Sequence, residues 1–336
     1  MKAAVPPEFP LNRRRFLQLA ALTAAAGLSG CSRGNAVPTL RASADTLPAL
    51  WRRRLPSPWA FSPFSKAAEV ADVWPPSTDL LALTDGWLAG LAPSRLQAIA
   101  TSPLESQLGR LGQRFLADTP EAWSDLMLPV GFSPWVMLIR RESGTAPDLD
   151  AGWNILLDPA FEGKLLLPSS PRLLVSLADR ISGPDPLRRL RAAALSFDDR
   201  FALNWLLQGE ARLAVLPLQR CMGALQRDPR LMVVLPQQGA PLHWTLLLRP
   251  TGTAEPVPQA WVEEAWTPPL LPRMLSQGWI PPLPAATLAA AANRVPSRLL
   301  PALLPPATVW DACWTLFPLD PSQTLPLQDR WNASAP

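Results

Sequence analysis

The sequence predicts an α/β fold with mostly parallel sheets, and three observations support this prediction. Short apolar runs of strand length alternate along the chain with segments of helical length, a pattern typical of parallel sheets covered by helices. The chain has 336 residues, of which 48% are hydrophobic, so it can bury a large core. Because this length exceeds that of a typical single domain, we also expect two lobes.

Six apolar runs are predicted as strands and three segments as helices. The strands are expected at residues 79–83, 130–141, 165–168, 211–217, 231–236 and 243–248. The helices are expected at residues 87–99, 172–180 and 257–274, the last broken at Pro268-Pro269. Proline lacks the amide hydrogen and restricts the residue before it, so this pair interrupts a helix.

The first 31 residues have the features of a secretory signal. Paired arginines in Arg13-Arg14-Arg15-Phe16-Leu17 precede a short apolar run, and Leu28-Ser29-Gly30-Cys31 follows it. The arginines resemble a twin-arginine export signal, and the ending resembles a lipobox in which Cys31 is acylated. The run at 16–30 is shorter than the roughly 20 residues that cross a bilayer. An uncleaved membrane anchor is the alternative. Residues 32–44 are then expected to form a tether.

Charge and chemistry exclude several classes of function. Four of the 31 basic side chains lie in the signal, against one of the 27 acidic ones, so the remainder is nearly neutral and no nucleic-acid partner is expected. The one histidine, His243, lies in an apolar strand, which favours a structural role. Beyond Cys31, Cys221 and Cys313 are expected as two buried free thiols rather than a disulfide. No enzyme, metal or cofactor is predicted.

One segment resembles a known family. The run Trp153-Asn154-Ile155-Leu156-Leu157-Asp158-Pro159-Ala160-Phe161-Glu162-Gly163-Lys164 is similar to a motif of extracellular solute-binding proteins related to the spermidine/putrescine-binding lipoproteins. Further stretches follow in the order of that family. They are Asp79–Thr84, Gly209–Ala214, Leu235–Trp244 and Gly278–Ala286. The resemblance spans about residues 75–290.

The resemblance implies a two-lobed periplasmic-binding-protein fold of type 2, with a hinge and a central cleft for one small solute. One lobe would take residues 45–129 and 245–330, and the other would take residues 130–244. The hinge would lie near Ser133-Pro134-Trp135. The partners implied are ABC permease subunits and, through the lipid on Cys31, a membrane. The protein would act as a monomer in the periplasm.

The residues that match the cleft of this family are candidate solute contacts, although each also has a structural alternative. Asp85, Ser169 and Ser170 suit helix caps, and Arg172 and Arg220 suit solvated surface positions. Trp244 suits the core. The complete set of candidate contacts is Thr84, Asp85, Ser133, Trp135, Ser169, Ser170, Arg172, Arg220 and Trp244.

The sequence departs from the family's polyamine site. Ser169-Ser170-Pro171-Arg172 stands where the family has acidic residues, and no acidic residue follows Trp244 at the expected place. Because a buried ammonium needs a paired carboxylate, the polyamine carboxylates are expected to be lost. Arg172 and Arg220 suit an oxyanion instead. The sequence predicts a lipid-anchored binding component of an ABC importer. A non-transporting envelope scaffold or sensor with the same fold is the alternative.

Overall fold

The computed structural model describes residues 37–43, 45–64, 78–141 and 148–336. The predicted twin-arginine signal, Cys31 and the first part of the predicted tether lie outside the described residues. Five residues of that tether, Thr39–Ser43, form a strand instead. Leu40 and Ala42 are fully buried there, because this strand pairs with neighbours on both sides. None of the described helices is long and apolar enough to cross a membrane.

The described residues form eleven strands, of which eight follow one continuous hydrogen-bonded path, while β4 and β11 pair with β10 and β9 pairs with β5 beside that path. In chain order they are β1 (Thr39–Ser43), β2 (Ala60–Phe64), β3 (Thr78–Thr84), β4 (Leu96–Gln97), β5 (Leu128–Arg140), β6 (Leu165–Leu167), β7 (Ala194–Phe197), β8 (Leu213–Pro217), β9 (Leu231–Val234), β10 (Pro241–Pro250) and β11 (Trp314–Thr315). All six strands expected from the sequence are present. The short strands β1, β2, β4, β7 and β11 were not predicted.

Thirteen helices lie around these strands in the described part of the chain. They are α1 (Ala49–Arg52), α2 (Ser102–Glu105), α3 (Arg110–Asp118), α4 (Pro171–Ala178), α5 (Pro186–Ala193), α6 (Ala202–Gln208), α7 (Leu218–Arg227), α8 (Gln259–Trp266), α9 (Leu270–Ser276), α10 (Ala285–Ala291), α11 (Leu300–Leu303), α12 (Ala307–Ala312) and α13 (Pro321–Ala333). Short 3-10 segments also occur, among them Asp85–Gly90, Pro93–Arg95 and Leu149–Leu157.

Two predicted helices differ from those observed. The helix expected at 87–99 is replaced by the 3-10 segments Asp85–Gly90 and Pro93–Arg95, followed by β4. Gly90 and Pro93 lie inside the predicted range and oppose a continuous helix. The helix expected at 257–274 is two helices, α8 and α9, which are separated around Pro268-Pro269 as predicted.

The long strand β5 joins two sheets. Its first part, residues 128–134, pairs with β10 in sheet I, whose order is β2-β1-β3-β10-β5. Its second part, residues 135–140, pairs with β8 and β9 in sheet II, whose order continues β5-β8-β6-β7. The pairs β1–β3 and β6–β8 are parallel, whereas β5 and β10 run antiparallel to each other. The α/β fold is therefore confirmed, with an antiparallel pair at its centre.

The chain passes between the sheets again after β9, because β9 belongs to sheet II and the following strand, β10, to sheet I. The carboxy-terminal helix α13 returns to the side of sheet II. There Arg330 forms an ion pair with Asp179 at 2.6 Å. The guanidinium of Arg191 lies 3.9 Å from the ring centroid of Trp331 and donates a hydrogen bond to Ser334 Oγ.

A cluster of tryptophans supports β5 at a bulge. The register between β5 and β10 shifts at Thr245/Leu246, which leaves Val130 without an opposite residue. The indole nitrogen of Trp266 donates to the Val130 carbonyl oxygen at 3.1 Å, so this buried acceptor is satisfied. Beside it, the Trp279 ring lies on Gly131, where an added Cβ would be 2.1 Å from ring atoms. Glycine is thus required for this contact.

Cys221 and Cys313 are both free and buried, as the sequence predicted. Burial raises the pKa of the Cys221 thiol to about 12 and that of Cys313 to about 11. Both side chains therefore stay protonated at neutral pH and act as small apolar core residues.

We predict that Gly131→Ala lowers the free energy of unfolding by about 1–3 kcal/mol, since the new methyl group overlaps the Trp279 ring. Urea unfolding followed by circular dichroism measures the change. Gly86→Ala is the matched control, because an added Cβ there meets no atom within 4 Å. An unchanged midpoint for Gly131→Ala would contradict the packing described.

Candidate functional site

A cleft of about 690 Å³ lies where strands of both sheets end. The loops after β1 and β3 line it from sheet I, and the loops after β6, β7 and β8 line it from sheet II. In α/β folds the loops beyond the carboxyl ends of parallel strands form the usual ligand site. The cleft is lined by Ser43, Asp45, Thr46, Thr84, Asp85, Gly86, Trp87, Ala89, Gly90, Trp135, Pro168, Ser169, Ser170, Arg172, Leu173, Asp199, Arg200, Gln219, Arg220, His243, Leu316 and Pro318.

The wall from sheet I is built on the end of β3. Thr84 is the last residue of the strand, and Asp85 begins the 3-10 segment that follows. Asp85 Oδ1 accepts a hydrogen bond from the backbone N–H of Gly86 at 3.1 Å. The same oxygen lies 3.4 Å from His243 Nδ1. The side chain of Asp85 is only 9% exposed, so a carboxylate is held largely out of solvent at this wall.

His243 reaches the cleft because of its position in β10. Successive side chains in a strand point to opposite faces, so His243 and Trp244 face opposite sides of sheet I. The His243 side chain is 18% exposed. The ring of Trp135 stands nearly perpendicular to the imidazole, with 5.8 Å between the centroids. His243 is therefore a residue of the cleft, which the sequence analysis did not predict.

The wall from sheet II is built on the start of α4. Ser170 is the N-cap, and its Oγ accepts a hydrogen bond from the Leu173 backbone N–H at 3.3 Å. Pro171 occupies the first helical position and Arg172 the second, so the first turn of the helix carries Arg172 into the cleft. Burial lowers the pKa of the Arg172 guanidinium, and the Asp85 carboxylate partly offsets this effect.

A second polar group lies at the outer part of the same wall. Ser169 Oγ donates to Asp199 Oδ1 at 3.3 Å, and Arg220 Nη1 lies 4.0 Å from Asp199 Oδ2. Arg220 also donates to the backbone carbonyl of Arg200 at 3.0 Å. Arg220 and Asp199 thus balance each other's charge. Both side chains are about one-third exposed, so this contact contributes little to stability.

Seven of the nine residues predicted from the sequence line the cleft. They are Thr84, Asp85, Trp135, Ser169, Ser170, Arg172 and Arg220. The other two, Ser133 and Trp244, lie outside its lining. Ser133 is fully buried, and its Oγ accepts from the Gln219 backbone N–H at 2.9 Å, which positions the start of α7.

Trp244 lies in the core behind the cleft. It is 1% exposed, and its ring packs on Phe115 and Phe132 with centroid distances of 4.6 and 5.0 Å. The indole nitrogen donates to Thr315 Oγ1 at 2.9 Å. The alternation of β10 explains why Trp244 takes the buried face while His243 takes the cleft face. The structural alternative considered for Trp244, a core tryptophan, therefore fits its position.

Sequence reasoning did not select several residues of the lining. Trp87 lies in the 3-10 segment after β3. Its position two residues beyond Asp85 could have indicated from the sequence that it lines the cleft. Asp45 and Asp199 follow β1 and β7, two short strands that the sequence did not predict. When Asp45 and Asp199 are included, the lining of the cleft contains three carboxylates, three guanidiniums and one imidazole. No group of side chains suited to a metal ion occurs in the part of the chain described.

The fold matches those of solved solute-binding proteins. The spermidine/putrescine substrate-binding protein PotD of Streptococcus pneumoniae superposes with a TM-score of 0.66 and 12% identity, over 88% of this chain and 97% of that chain. The TpPotD lipoprotein of Treponema pallidum gives a TM-score of 0.67 and 11% identity, over 89% and 99%. The chain has the two-lobed solute-binding-protein fold.

A third structure supports the same conclusion. The substrate-binding protein of an ABC transporter from Agrobacterium tumefaciens gives a TM-score of 0.64 and 14% identity, over 92% of this chain and 96% of that chain. No protein-family model and no curated protein matches the sequence. The two-lobed fold expected from the sequence resemblance is thereby confirmed, and in solute-binding folds the space between the lobes holds the ligand.

We predict that Trp244→Ala lowers the free energy of unfolding by about 3–5 kcal/mol, because it empties a large volume in the core. Trp87→Ala is the matched control, since Trp87 is only half-buried at the cleft wall. Urea unfolding followed by far-ultraviolet circular dichroism measures both changes. Equal stability of Trp244→Ala and the unsubstituted protein would contradict the core position.

Proposed function

We propose that this chain is the substrate-binding component of an ABC importer, and that it captures a small solute in the cleft between its two lobes. The observation that carries the proposal is that the two walls of the cleft come from different sheets. Sheet I supplies Thr84, Asp85 and His243, whereas sheet II supplies Ser170 and Arg172. A solute that contacts both walls binds only when the lobes are close together, so its binding energy drives closure.

The proposed lobes follow the two sheets. One lobe takes residues 45–129, together with β1, and most of 245–330, and the other takes 130–244. The residues of β5 and β10 that fall within 130–244 but pair in sheet I form the junction between the lobes. Because α13 packs beside α4 and α5, we assign Pro321–Ala333 to the second lobe. The strand β5 and the connection from β9 to β10 are the hinge. Trp135, where β5 changes sheets, stands at the floor of the cleft.

Export and anchoring complete the proposal. The twin-arginine signal delivers the folded chain across the membrane, and acylation of Cys31 tethers it on the periplasmic side. One of the proteins with a matching fold, TpPotD of Treponema pallidum, is a lipoprotein. In this proposal the monomeric closed form docks on ABC permease subunits, and the ATP is hydrolysed by the partner.

The contacts of His243 favour binding over catalysis. An Asp–His pair is also the orienting half of a Ser–His–Asp site, in which the second imidazole nitrogen takes a proton from a nucleophile. No hydroxyl or thiol among the described residues forms a hydrogen bond with His243; its contacts are Asp85 and the Trp135 ring. Cys221 and Cys313 are buried in the core. The His243–Asp85 pair therefore serves to position charge in the cleft.

We predict that the purified chain shows a melting-temperature increase with one class of small solute, since a ligand at 100 times its dissociation constant stabilises by roughly 2.7 kcal/mol. The panel contains amino acids, organic acids, polyamines, phosphate compounds and osmolytes. Deletion of the gene should abolish uptake of that radiolabelled solute by whole cells.

Two results would contradict this prediction. No stabilisation by any class of solute would favour the alternative, a non-transporting envelope scaffold or sensor. Unchanged uptake of the stabilising solute in the deletion strain would separate binding from transport and would also favour the sensor. Complementation with the unsubstituted gene is the control for the uptake measurement.

A further inference from the structure

We infer that the cleft is built for a zwitterionic solute, a small molecule with one carboxylate and one ammonium group. Arg172 binds the carboxylate and Asp85 binds the ammonium. This inference rests on the proposed function and names its substrate class. Three observations carry it: a carboxylate oxygen and a guanidinium that have no partner among the described residues, and the positions of these two groups on opposite walls of one cleft.

The first observation concerns Asp85. Its Oδ1 is occupied by the Gly86 N–H and by His243 Nδ1, but its Oδ2 has no hydrogen bond or ion pair within the described chain. The side chain is 91% removed from solvent, since its exposed fraction is 9%. A carboxylate held in this way has lost most of its hydration, and a cationic group would restore the lost interaction.

The second observation concerns Arg172. Its guanidinium has no hydrogen bond and no ion pair with any described residue, and it is partly buried in the cleft wall. The lowered pKa of this group reflects its desolvation. A guanidinium offers parallel N–H donors whose spacing matches the two oxygens of a carboxylate. The hydroxyl of Ser170, whose oxygen caps α4, adds a donor beside it.

The third observation is the placement of the two charges. Asp85 follows β3 on the wall of sheet I, and Arg172 lies in α4 on the wall of sheet II. They attract each other electrostatically, yet no ion pair forms between them. The space between the walls therefore separates a cation from an anion. A zwitterion placed there with its carboxylate toward Arg172 and its ammonium toward Asp85 neutralises both.

Singly charged solutes and polyamines fit this pair less well. An organic anion would satisfy Arg172 but leave the Asp85 carboxylate desolvated, and a diamine would place its second ammonium against the Arg172 guanidinium. Leaving one charge buried and unpaired is strongly unfavourable. The other charged residues of the lining are two acidic and two basic: Asp45, Asp199, Arg200 and Arg220. Asp199 lies 4.0 Å from Arg220, and the four together add no net charge that would select an anion or a cation.

The apolar surfaces of the cleft fit the remainder of such a solute. Trp135 is 8% exposed, and its ring borders His243 beside Asp85. Trp87 is half-buried on the same wall as Asp85, and its ring packs edge-on against Phe64 at 5.3 Å. Aromatic faces near a carboxylate attract an ammonium group and also cover the methylene groups of a solute.

Isothermal titration calorimetry with matched probes tests the inference. The zwitterions are glycine, 4-aminobutanoate, 5-aminopentanoate and 6-aminohexanoate, which vary the distance between the two charges. For each length the matching carboxylate, the matching primary amine and the matching diamine are titrated as well. We expect at least one zwitterion to bind ten or more times as tightly as its three singly charged or doubly cationic counterparts.

Variants of the full chain test the assigned residues. Arg172→Lys keeps the charge but loses the parallel donors, and Arg172→Ala loses both, so binding of the zwitterion should weaken progressively and by tenfold or more for alanine. Asp85→Asn removes the anion at nearly constant shape and should weaken binding of the zwitterion more than that of the matching carboxylate. Arg273→Ala and Asp118→Asn are controls, because both side chains are exposed and outside the cleft. The melting temperature of each variant reports its folding.

The outcomes are distinct. Tighter binding of a diamine or of a simple carboxylate, or unchanged zwitterion binding by well-folded Arg172→Ala, would overturn the zwitterion assignment and leave the solute-binding function intact. Failure of every probe and of the broader solute panel would overturn the function itself. Loss of zwitterion binding confined to the Arg172 and Asp85 variants would support the inference.

Discussion

The hydrogen bonds of β5 are the constraint on which the rest of the structure depends. This strand has thirteen residues, and twelve of them are buried. Residues 128–134 complete sheet I through β10, and residues 135–140 complete sheet II through β8 and β9. Because one continuous strand belongs to both sheets, the loops at the ends of β3 and β8 approach each other above it. The cleft is a consequence of this shared strand.

The pairing of β5 with β10 is interrupted at a bulge. The shift in register leaves the Val130 carbonyl without a partner in β10, and the side chain of Trp266 supplies the missing hydrogen bond. Gly131 then allows the Trp279 ring to lie directly on the backbone. Trp279 in turn packs against Trp51, which is stacked on Trp261 at 4.3 Å. These tryptophans, which belong to the helices and loops packed on sheet I, thus support the crossing strand.

The charged residues on the two walls of the cleft are held in different ways, because Asp85 follows a strand and Arg172 lies in a helix. On sheet I, Asp85 is fixed at a strand end by Gly86 and His243, so its direction is set by short-range contacts. On sheet II, Arg172 extends from the first turn of a helix and has no partner in the described chain. The Asp85 carboxylate is therefore positioned by two contacts, whereas the Arg172 guanidinium is available to a solute in the proposed closure of the lobes.

The sequence predicted the long apolar strands because buried strands leave continuous apolar runs. It predicted the two lobes from the chain length and from the resemblance to solute-binding proteins. It also predicted Asp85, Ser170 and Arg172 in the cleft, because they match the positions after two apolar strands where the resembled family has its cleft residues. It did not predict Asp199 or Asp45, because β7 and β1 are short and lack a strong pattern. For His243 and Trp244 both side chains suited either face, and only the pairing of β10 with β3 and β5 decides which one faces the cleft. This pairing joins strands that are far apart in the sequence, so the residue pattern of β10 alone does not reveal it.

The central claim is that the two lobes close over a solute about β5, and a distance between the lobes tests it most directly. Spin labels would be attached at Asp118→Cys and Asn204→Cys, both exposed and outside the cleft, in a Cys31→Ser background, since Cys221 and Cys313 are buried. Pulsed electron paramagnetic resonance would be recorded without solute and with the solute that gives the largest stabilisation. The account predicts that saturating solute shifts the distances to one shorter, narrower distribution. An identical distribution with the solute fully bound would contradict it.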